Sequence, residues 1–330
     1  MRISSAFKIF HLITLLIFIT ANSWAAPDIY IAGYEDNGKI TSAKYWKNEK
    51  RISLTDEIYE SMALSIFVID NDIYVAGFER NSDNQAIAKY WKNGKGIELT
   101  DGTFHSGAYS IFVQGNDVFV AGEENSQAKY WKNGQAVDLT ENANYASANS
   151  IFVTGNDIYV AGYERNDDYA VAKYWKNGEE VVLTDGNNSA YATSIYAAGN
   201  DIYVAVSEYI EERIIARYWK NKQEIILTDD NSAQASSIFV AGNDIYVAGC
   251  EYIGENNVAK YWKNGHGVEL TASNNFAAAM SVFLLGDDVY VAGNEIDGDM
   301  TIAKYWKNGE EVVLTDGFYD TCVYSIFVVE

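Results

Sequence analysis

Short runs of apolar and aromatic residues, separated by turn residues, recur along almost the whole chain. In one stretch the runs cover 110–113, 117–122, 128–132 and 137–140 and are rich in Val, Ile, Tyr, Phe and Trp. Gly115-Asn116 and Asn93-Gly94 are two-residue hairpin signals between such runs. Both faces of the runs are apolar, as in strands packed between sheets, and no helical periodicity is present. The pattern predicts four antiparallel strands in up-and-down order, with the first strand innermost.

The four runs belong to a unit that occurs seven times. Each unit contains variants of Asp-Ile-Tyr-Val-Ala-Gly, Ala-Lys-Tyr-Trp-Lys-Asn-Gly, Leu-Thr-Asp-Gly and Ser-Ile-Phe-Val. No linker or change of composition separates the units. A repeat of 40–45 residues with four strands predicts a β-propeller blade. We therefore predict an all-β, seven-bladed propeller that forms a single domain over residues 26–330, with units that begin at Asp28, Asp72, Asp117, Asp157, Asp201, Asp244 and Asp288.

The two ends of the repeated region are complementary. The region begins with a second strand at 28–33 and ends with a lone innermost strand at 325–328. We expect strand 325–328 to join the blade formed by residues 28–55, because this pairing closes the ring and hides both strand edges.

With these repeats the chain resembles the bacterial secreted β-propeller repeat proteins, within the broad group of kelch, WD40 and YWTD propellers. The resemblance covers the whole repeated region. The Tyr45-Trp46-Lys47-Asn48 motif and its six copies differ from the YWTD tetrad, and the kelch Gly-Gly pair and the WD dipeptide are missing. The resemblance implies the fold and no catalytic residue, because propellers serve as lectins, hydrolases, lyases and docking platforms.

The first 25 residues have the features of a secretory signal peptide. Arg2 and Lys8 precede an apolar run at 9–19, and Ser23 and Ala25 are small residues at the expected cleavage positions. The run is too short to cross a bilayer of about 30 Å, so we expect no membrane insertion. We predict cleavage near Ala25 and export to the periplasm or the extracellular space.

The charge and the scarce residue types exclude several function classes. The chain has 24 Lys and Arg against 46 Asp and Glu, a net charge of -22, which argues against nucleic-acid binding. Cys250 and Cys322 have one whole blade between them in the predicted ring and should remain unpaired thiols. His105 and His266 fall at opposite ends of the blades, so they cannot share a site. We predict no catalytic residue, no metal ligand and no cofactor.

Several polar and aromatic positions repeat in every unit, and each has a structural and a functional interpretation. An acid and a base on neighbouring strands can form cross-strand pairs, or they can flank a sugar or peptide in equivalent sites. The tryptophans can pack between blades or stack on sugar rings. The inner-strand serines are explained by small size and a local hydrogen bond. The acids are Glu35, Glu79, Glu124, Glu164, Glu208, Glu251 and Glu295. The bases, which we place at the start of the third strand, are Lys44, Lys89, Lys129, Lys173, Arg217, Lys260 and Lys304. The tryptophans are Trp46, Trp91, Trp131, Trp175, Trp219, Trp262 and Trp306.

The longer connections of all blades should lie together at the end opposite the tight hairpins. That end is the candidate binding surface. Lysines near the hairpins, at Lys47 and its equivalents, would make the other end positive and polarise the molecule. An acidic surface favours a cationic peptide, an amine-bearing glycan or divalent cations. The acids that we place on this surface are Asp36, Asp83, Glu123, Asp167, Asp168, Glu211, Glu212, Glu255, Asp297 and Asp299.

One inner-strand position varies where its neighbours repeat. It lies near the mouth of the predicted channel, and it is occupied by Leu64, Tyr109, Asn149, Thr193, Ser236, Met280 and Tyr324. The variation indicates either a single asymmetric site built around Tyr109, Asn149 and Tyr324 or tolerance at a solvent-exposed position.

These observations favour an exported, monomeric, non-enzymatic protein that holds a cationic or neutral protein, peptide or glycan on its acidic, loop-bearing end. The alternatives are a multivalent lectin with repeated Glu, Lys and Trp sites and a polysaccharide hydrolase or lyase.

Overall fold

The structure is a computed structural model that describes residues 26–228, 231–272, 276–315 and 317–330. The predicted signal peptide lies outside these residues. Their regular structure consists of strands only, and no helix in these ranges is long and apolar enough to cross a membrane. The first fourteen strands are β1 (Asp28–Asp36), β2 (Thr41–Lys47), β3 (Lys50–Ser53), β4 (Ser61–Ile69), β5 (Asp72–Arg80), β6 (Ala86–Lys92), β7 (Lys95–Glu98), β8 (Ser106–Gln114), β9 (Asp117–Glu124), β10 (Gln127–Lys132), β11 (Gln135–Asp138), β12 (Ala146–Thr154), β13 (Asp157–Arg165) and β14 (Ala170–Lys176). The others are β15 (Glu179–Val182), β16 (Ser189–Ala198), β17 (Asp201–Ile210), β18 (Arg213–Lys220), β19 (Gln223–Ile226), β20 (Ala233–Ala241), β21 (Asp244–Ile253), β22 (Asn256–Lys263), β23 (His266–Glu269), β24 (Phe276–Leu285), β25 (Asp288–Asp297), β26 (Met300–Lys307), β27 (Glu310–Val313) and β28 (Asp320–Val329).

The strands form seven four-stranded antiparallel sheets, which we number as blades in chain order. Blade 1 has the order β28-β1-β2-β3, and blades 2 to 7 each consist of four consecutive strands, from β4–β7 to β24–β27. The first strand of each blade contacts the first strands of both neighbouring blades around a closed circle. The predicted seven-bladed β-propeller is therefore confirmed, and its innermost strands surround the central axis.

Strand β28 closes the ring. It pairs antiparallel with β1 from Asp28 opposite Val329 to Asp36 opposite Asp320, so the predicted composite blade is confirmed. The strand begins five residues before the predicted 325–328 segment. The other inner strands are also longer than predicted, because the less apolar residues before the repeated serine pair as well.

The repeated inner-strand serines join neighbouring blades. Each serine hydroxyl accepts a hydrogen bond of 3.1–3.4 Å from a backbone N–H of the adjacent inner strand, and the bond from Ile66 to Ser325 completes the circle. The expectation of a local hydrogen bond is therefore wrong. The innermost strand of each blade has no neighbouring strand on the side of the axis. The serines supply acceptors for backbone N–H groups on that side.

An aromatic ring lies two residues beyond each serine, towards the tight turns. The seven side chains contact one another in sequence, with neighbouring ring centroids 4.5–5.1 Å apart. They form an unbroken aromatic belt around the channel. Its members are Phe67, Phe112, Phe152, Tyr196, Phe239, Phe283 and Phe327.

The hydrophobic core consists of interfaces between blades. Trp175 of blade 4, for example, packs with Phe119 and Tyr130 of blade 3. The seven repeated tryptophans are only 0–6% exposed, which agrees with the packing interpretation. Large aromatic rings suit this role because they bury much apolar surface between two sheets.

The predicted fourth strand is misplaced. In blade 3 it is β11, which starts at Gln135 directly after the Asn133-Gly134 turn and ends at Asp138. Leu139 and Thr140 leave the sheet but still bind its edge, since the Leu139 N–H donates to the Ala128 carbonyl and the Thr140 hydroxyl accepts from the Ala128 N–H. Apolar residue type predicted a strand here, whereas the two-residue turn sets where pairing starts.

Candidate functional site

The tight-turn end carries the same polar arrangement in all seven blades. The aspartate that opens each second strand pairs at 2.7–2.9 Å with the lysine of the Tyr-Trp-Lys-Asn motif. The following asparagine has a positive φ, as a two-residue hairpin of type I′ requires, and its side chain binds both the aspartate and the strand's first free N–H. Hydrogen bonds from Lys176 and Asn177 lower the pKa of Asp157. Each of these lysines is therefore neutralised by its aspartate. The prediction that the lysines make this end positive is wrong.

The loop-bearing end lies opposite, as predicted. Most of the acids that we assigned to it are exposed in the connections, and none of these exposed acids forms an ion pair within the described residues. There are two exceptions: Asp36 is half-buried at the end of β1, and Glu123 is only 3% exposed. Glu123 lies inside strand β9, before the Asn125-Ser126 turn, as do the residues at the equivalent position of the other blades inside their second strands. The exposed acids are Asp83, Asp167, Asp168, Glu211, Glu212, Glu255, Asp297 and Asp299.

Large apolar side chains are exposed at the same end. Phe318 is 77% exposed and Ile58 is 64% exposed, in connections on either side of blade 1. Exposed aromatic and aliphatic groups near acids are more typical of a contact surface than of a solvated loop. The other exposed members are Tyr59, Phe104, Tyr169, Tyr209, Phe276, Ile296 and Tyr319.

The repeated glutamates and bases pair in six of the seven blades. The base is inside the third strand rather than at its start, and it lies diagonally across from the glutamate: in blade 3, Lys129 is opposite Gly122 and Glu124 is opposite Gln127. A diagonal neighbour is within reach of these long side chains. The pairs are Glu79–Lys89, Glu124–Lys129, Glu164–Lys173, Glu208–Arg217, Glu251–Lys260 and Glu295–Lys304.

A second acid, on the fourth strand, completes each of these pairs. Lys129, for example, is 2.7 Å from Glu124 and 3.3 Å from Asp138. Burial disfavours the Lys129 ammonium, but the two carboxylates outweigh it and raise its pKa. Sequence reasoning missed the second acid. It could have been found by continuing the strand register across the hairpin between the third and fourth strands. The second acids are Glu98, Asp138, Glu180, Glu224, Glu269 and Glu311.

Blade 1 departs from this arrangement. Its Glu35 binds Arg51 at 2.9 Å, while Lys44 binds Glu57 from the connection to blade 2. Blade 1 therefore contains two acids and two bases, whereas each of the other six blades has one base between two acids.

The repeated groups are therefore engaged in structural contacts. The tryptophan rings are buried and cannot stack on a sugar as the structure stands. Open crevices nevertheless adjoin two of the acid–base groups. The crevice of about 470 Å³ in blade 3 is lined by Phe104, Glu124, Lys129 and Asp138, among others. The crevice of about 370 Å³ in blade 5 includes Arg217.

The varying inner-strand position is a β-bulge. The pairing of the first two strands shifts at this position in each blade, for example between Ala148 and Ser150. The bulge brings the Gly107 carbonyl so close to Gly122 that a Cβ there would lie 1.9 Å away. A bulge re-aims one side chain and frees backbone groups, which explains why this position differs between units.

The structure places Tyr109, Asn149 and Tyr324 in three blades with different partners. Asn149 donates to the Ala192 carbonyl of the next blade at 2.9 Å. The Tyr324 ring lies 6.1 Å from the Tyr34 ring. No hydrogen bond or ring contact joins the three predicted residues within the described part of the chain.

Tyr109 instead belongs to a cluster around the buried Glu123. The hydroxyls of Tyr109 and Tyr145 both donate to Glu123 Oε1 at 3.0 Å. Glu123 Oε2 is buried and has no hydrogen-bond partner. The Tyr145 ring stacks on Tyr163 with centroids 6.0 Å apart, and Tyr163 contacts Tyr191 at 4.7 Å. We call Glu123, Tyr109, Tyr145 and Tyr163 the Glu123 cluster.

The tyrosines of the Glu123 cluster remain protonated at neutral pH. Burial, followed by the nearby Glu123 charge, raises the pKa of Tyr163 to about 12 and raises those of Tyr109 and Tyr145 as well. Sequence reasoning missed this cluster. The signal was the second-strand position before the repeated glutamate, which also varies and is occupied by Tyr34, Phe78, Glu123, Tyr163, Ser207, Cys250 and Asn294.

The part of the chain that the structure describes contains neither a metal-ligand cluster nor a disulfide. The described residues contain no group of three or more His, Cys, Asp and Glu side chains that could hold a metal ion. Both cysteines are free thiols, and burial raises the pKa of Cys250 to about 11.

No protein-family model and no curated protein matches this chain. Solved structures of similar fold include TolB from Acinetobacter baumannii, at 11% identity over 89% of this chain and 79% of that chain, with a TM-score of 0.47. They also include a putative TolB from Agrobacterium tumefaciens, at 9% identity over 93% and 100%, with a TM-score of 0.47. A puromycin-hydrolyzing peptidase from Mycobacterium tuberculosis matches at 10% identity over 76% and 53%, with a TM-score of 0.43, so this chain spans about half its length. At these identities and TM-scores, the similarities say nothing about activity or partners.

Proposed function

We propose that the protein is an exported, monomeric, non-enzymatic binding protein of the secreted propeller-repeat type, whose loop-bearing end holds a basic segment of another protein. The observation that carries this proposal is the difference between the two ends. The lysines of the tight-turn end are paired with aspartates, whereas the exposed loop acids have no ion pairs within the described residues. Exposed acids without an ion pair are more numerous at the loop-bearing end, and this excess of negative charge favours a cationic partner.

The exposed apolar groups support a protein partner over a simple counter-ion. Phe104, Phe276 and Ile296 are 44–50% exposed at the same end as the acids. Aromatic anchors surrounded by polar groups are the usual composition of protein interfaces. The signal-peptide features of residues 1–25 support export, which would present this end to periplasmic or extracellular partners.

The test compares charge reversals at the two ends. Asp167→Lys, Asp168→Lys and Glu211→Lys together change the loop-bearing end, and Glu179→Lys, Asp287→Lys and Glu310→Lys make the same charge change at the tight-turn end. Binding of a fluorescent hexalysine peptide should weaken at least about tenfold in the first variant and less than about threefold in the second. Added salt should weaken the wild-type complex. Equal weakening in both variants, or no binding to the wild type, contradicts the proposal.

A second candidate is a carbohydrate site in the blade 3 crevice. Phe104 is 47% exposed at its rim, and Asn125, Gln127 and Asn142 also line it. An exposed ring with amide and carboxylate groups suits stacking and hydroxyl recognition. A glycan array followed by calorimetry tests this candidate, and a hit that survives Phe104→Ala without loss of affinity contradicts it. Seven equivalent glycans per chain would instead support the multivalent lectin.

A further inference from the structure

The Glu123 carboxylate is incompletely satisfied. Two tyrosine hydroxyls share Oε1, while the buried Oε2 has no partner. Among the described residues, no Lys, Arg or His forms an ion pair with Glu123, although every buried base of the blades is paired. A buried carboxylate without a countercharge is costly, and a bound cation would remove that cost.

The charge is a departure from the repeat. At the same position, the other six blades have Tyr, Phe, Ser, Cys or Asn. In two of those blades the side chain binds the backbone of the next inner strand: Ser207 binds Ala235, and Asn294 binds Val323. Neutral side chains can therefore form the hydrogen bonds to the backbone beside the bulge, so the bulge itself does not require a carboxylate.

The surroundings of the carboxylate suit an organic cation better than a metal ion. Tyr109 and Tyr145 contact it directly, and the Tyr163 ring stacks on Tyr145. Aromatic faces attract ammonium and guanidinium groups, and a carboxylate adds a hydrogen-bonded counter-ion. A metal ion would require several carboxylate or imidazole ligands, and the cluster has one.

We infer that the Glu123 cluster is a binding site for a single ammonium or guanidinium group, such as a lysine or arginine side chain of the partner. This inference rests on the proposed function, since it names the group that the basic segment would insert. Tyr145 provides the access route. It is half-buried and ends the connection 139–145, whereas Tyr109 and Tyr163 belong to strands β8 and β13. Rotation of the Tyr145 ring would uncover the carboxylate at the loop-bearing end.

The probe is n-butylammonium, which has the length and charge of a lysine side chain. Its binding is followed by NMR of the protein with 13C-labelled tyrosine rings, against sodium chloride at equal ionic strength. We expect saturable shifts of the Tyr145 and Tyr163 signals in the wild type, and at least about tenfold weaker binding in Glu123→Gln, which keeps the side-chain shape. Glu179→Gln, which removes one exposed carboxylate at the tight-turn end by the same type of substitution, is the matched control and should change affinity less than twofold.

Thermal melting supplies a readout that does not depend on the tyrosine signals. Butylammonium should raise the melting temperature of the wild type but not that of Glu123→Gln, because a ligand stabilises only a protein that binds it. If Glu123→Gln does not fold, Tyr145→Phe replaces it. That variant should bind at least as tightly as the wild type, because one hydroxyl no longer competes for the carboxylate, and weaker binding overturns the inference.

The outcomes separate this inference from the proposed function. Suppose that hexalysine binds but butylammonium shifts no tyrosine signal of the cluster, or shifts the signals equally in wild type and Glu123→Gln. The proposed docking surface is then supported and the Glu123 site is wrong. If butylammonium binds through Glu123 but hexalysine ignores the loop charge reversals, the site stands and the proposed docking surface is wrong.

Discussion

The two ends of the propeller are built from the same seven units but differ in how closely those units agree. At the tight-turn end, the aspartate, lysine and asparagine contacts recur in every blade with distances that differ by a few tenths of an ångström. At the loop-bearing end, connection length, exposed side chains and bulge residue all vary between blades. Blade 3 is extreme, because its second and third strands, with 8 and 6 residues, are the shortest at their positions.

This difference separates contacts that every blade shares from contacts that are particular to one blade. The tight-turn contacts supply hydrogen-bond partners at the start of the second strand and neutralise the lysine. Every blade needs both equally. The bulges and connections carry groups whose pairing differs from blade to blade, and one of them is Glu123, whose buried Oε2 has no hydrogen-bond partner. A repeated scaffold with one variable end is how rigid folds commonly present a binding surface.

The largest expected effect comes from breaking the scaffold that both ends share. Truncation before Thr321 removes β28 and with it Val323, Ile326 and Val328, all buried. Burial of each such side chain contributes about 1.5–3 kcal/mol, and the ring also loses its closing contacts. We expect loss of cooperative thermal unfolding. Removal of Glu330 alone, which is exposed, is the control, and an unchanged melting temperature after truncation would show that the ring does not depend on β28.

A smaller effect tests the tight-turn end against the loop-bearing end directly. Asn133 and Asn142 have φ values of 51° and 58°, so alanine is strained at both positions. Only Asn133 accepts from the Val118 N–H, at 2.9 Å, and donates to Asp117, at 2.8 Å. Asn133→Ala should therefore lower the free energy of unfolding by about 1–2 kcal/mol more than Asn142→Ala. Equal losses in urea denaturation would mean that the repeated asparagine acts only through its backbone conformation.

The smallest effect is the acid response of the tight-turn pairs. Hydrogen bonds from Lys176 and Asn177 lower the pKa of Asp157 below its ordinary value of 3.8. Its contribution to stability is therefore present above pH 3.8 and is lost as the pH falls below that value. The stability difference between wild type and Asp157→Asn should shrink between pH 5 and pH 2. A difference for Asp157→Asn that is independent of pH would contradict the paired carboxylate.

Sequence reasoning was most successful where one residue type has one local consequence. The repeat period, the Asn-Gly hairpins and the mismatched ends predicted the blades, their number and the composite blade 1. It was less successful for strand ends, since the runs at 110–113 and 137–140 marked where residues are apolar rather than where they pair. The three residues predicted near the channel mouth do not meet: Tyr109 contacts Glu123, whereas Asn149 and Tyr324 have other partners, so a ligand site there stays a prediction.

The failures share a cause. Lys132 was expected to make its end positive, but pairing with Asp117 requires the strand register. Glu123 was taken for an exposed loop acid, because its burial depends on the register of strand β9 and on Tyr145 from the connection to the next blade. Neither neighbour can be recognised from residue type alone.

The amino-acid sequence was sufficient for the architecture, because apolar patterning and turn chemistry act within a few residues and repeat seven times. The tertiary structure decided which groups meet across blades. The Ser110 hydroxyl finds the Ile151 amide 41 residues away, and Glu123 and Tyr145 meet across a blade junction. Such contacts depend on the bulges and on how neighbouring sheets are set against each other, and these are properties of the closed ring rather than of any single unit.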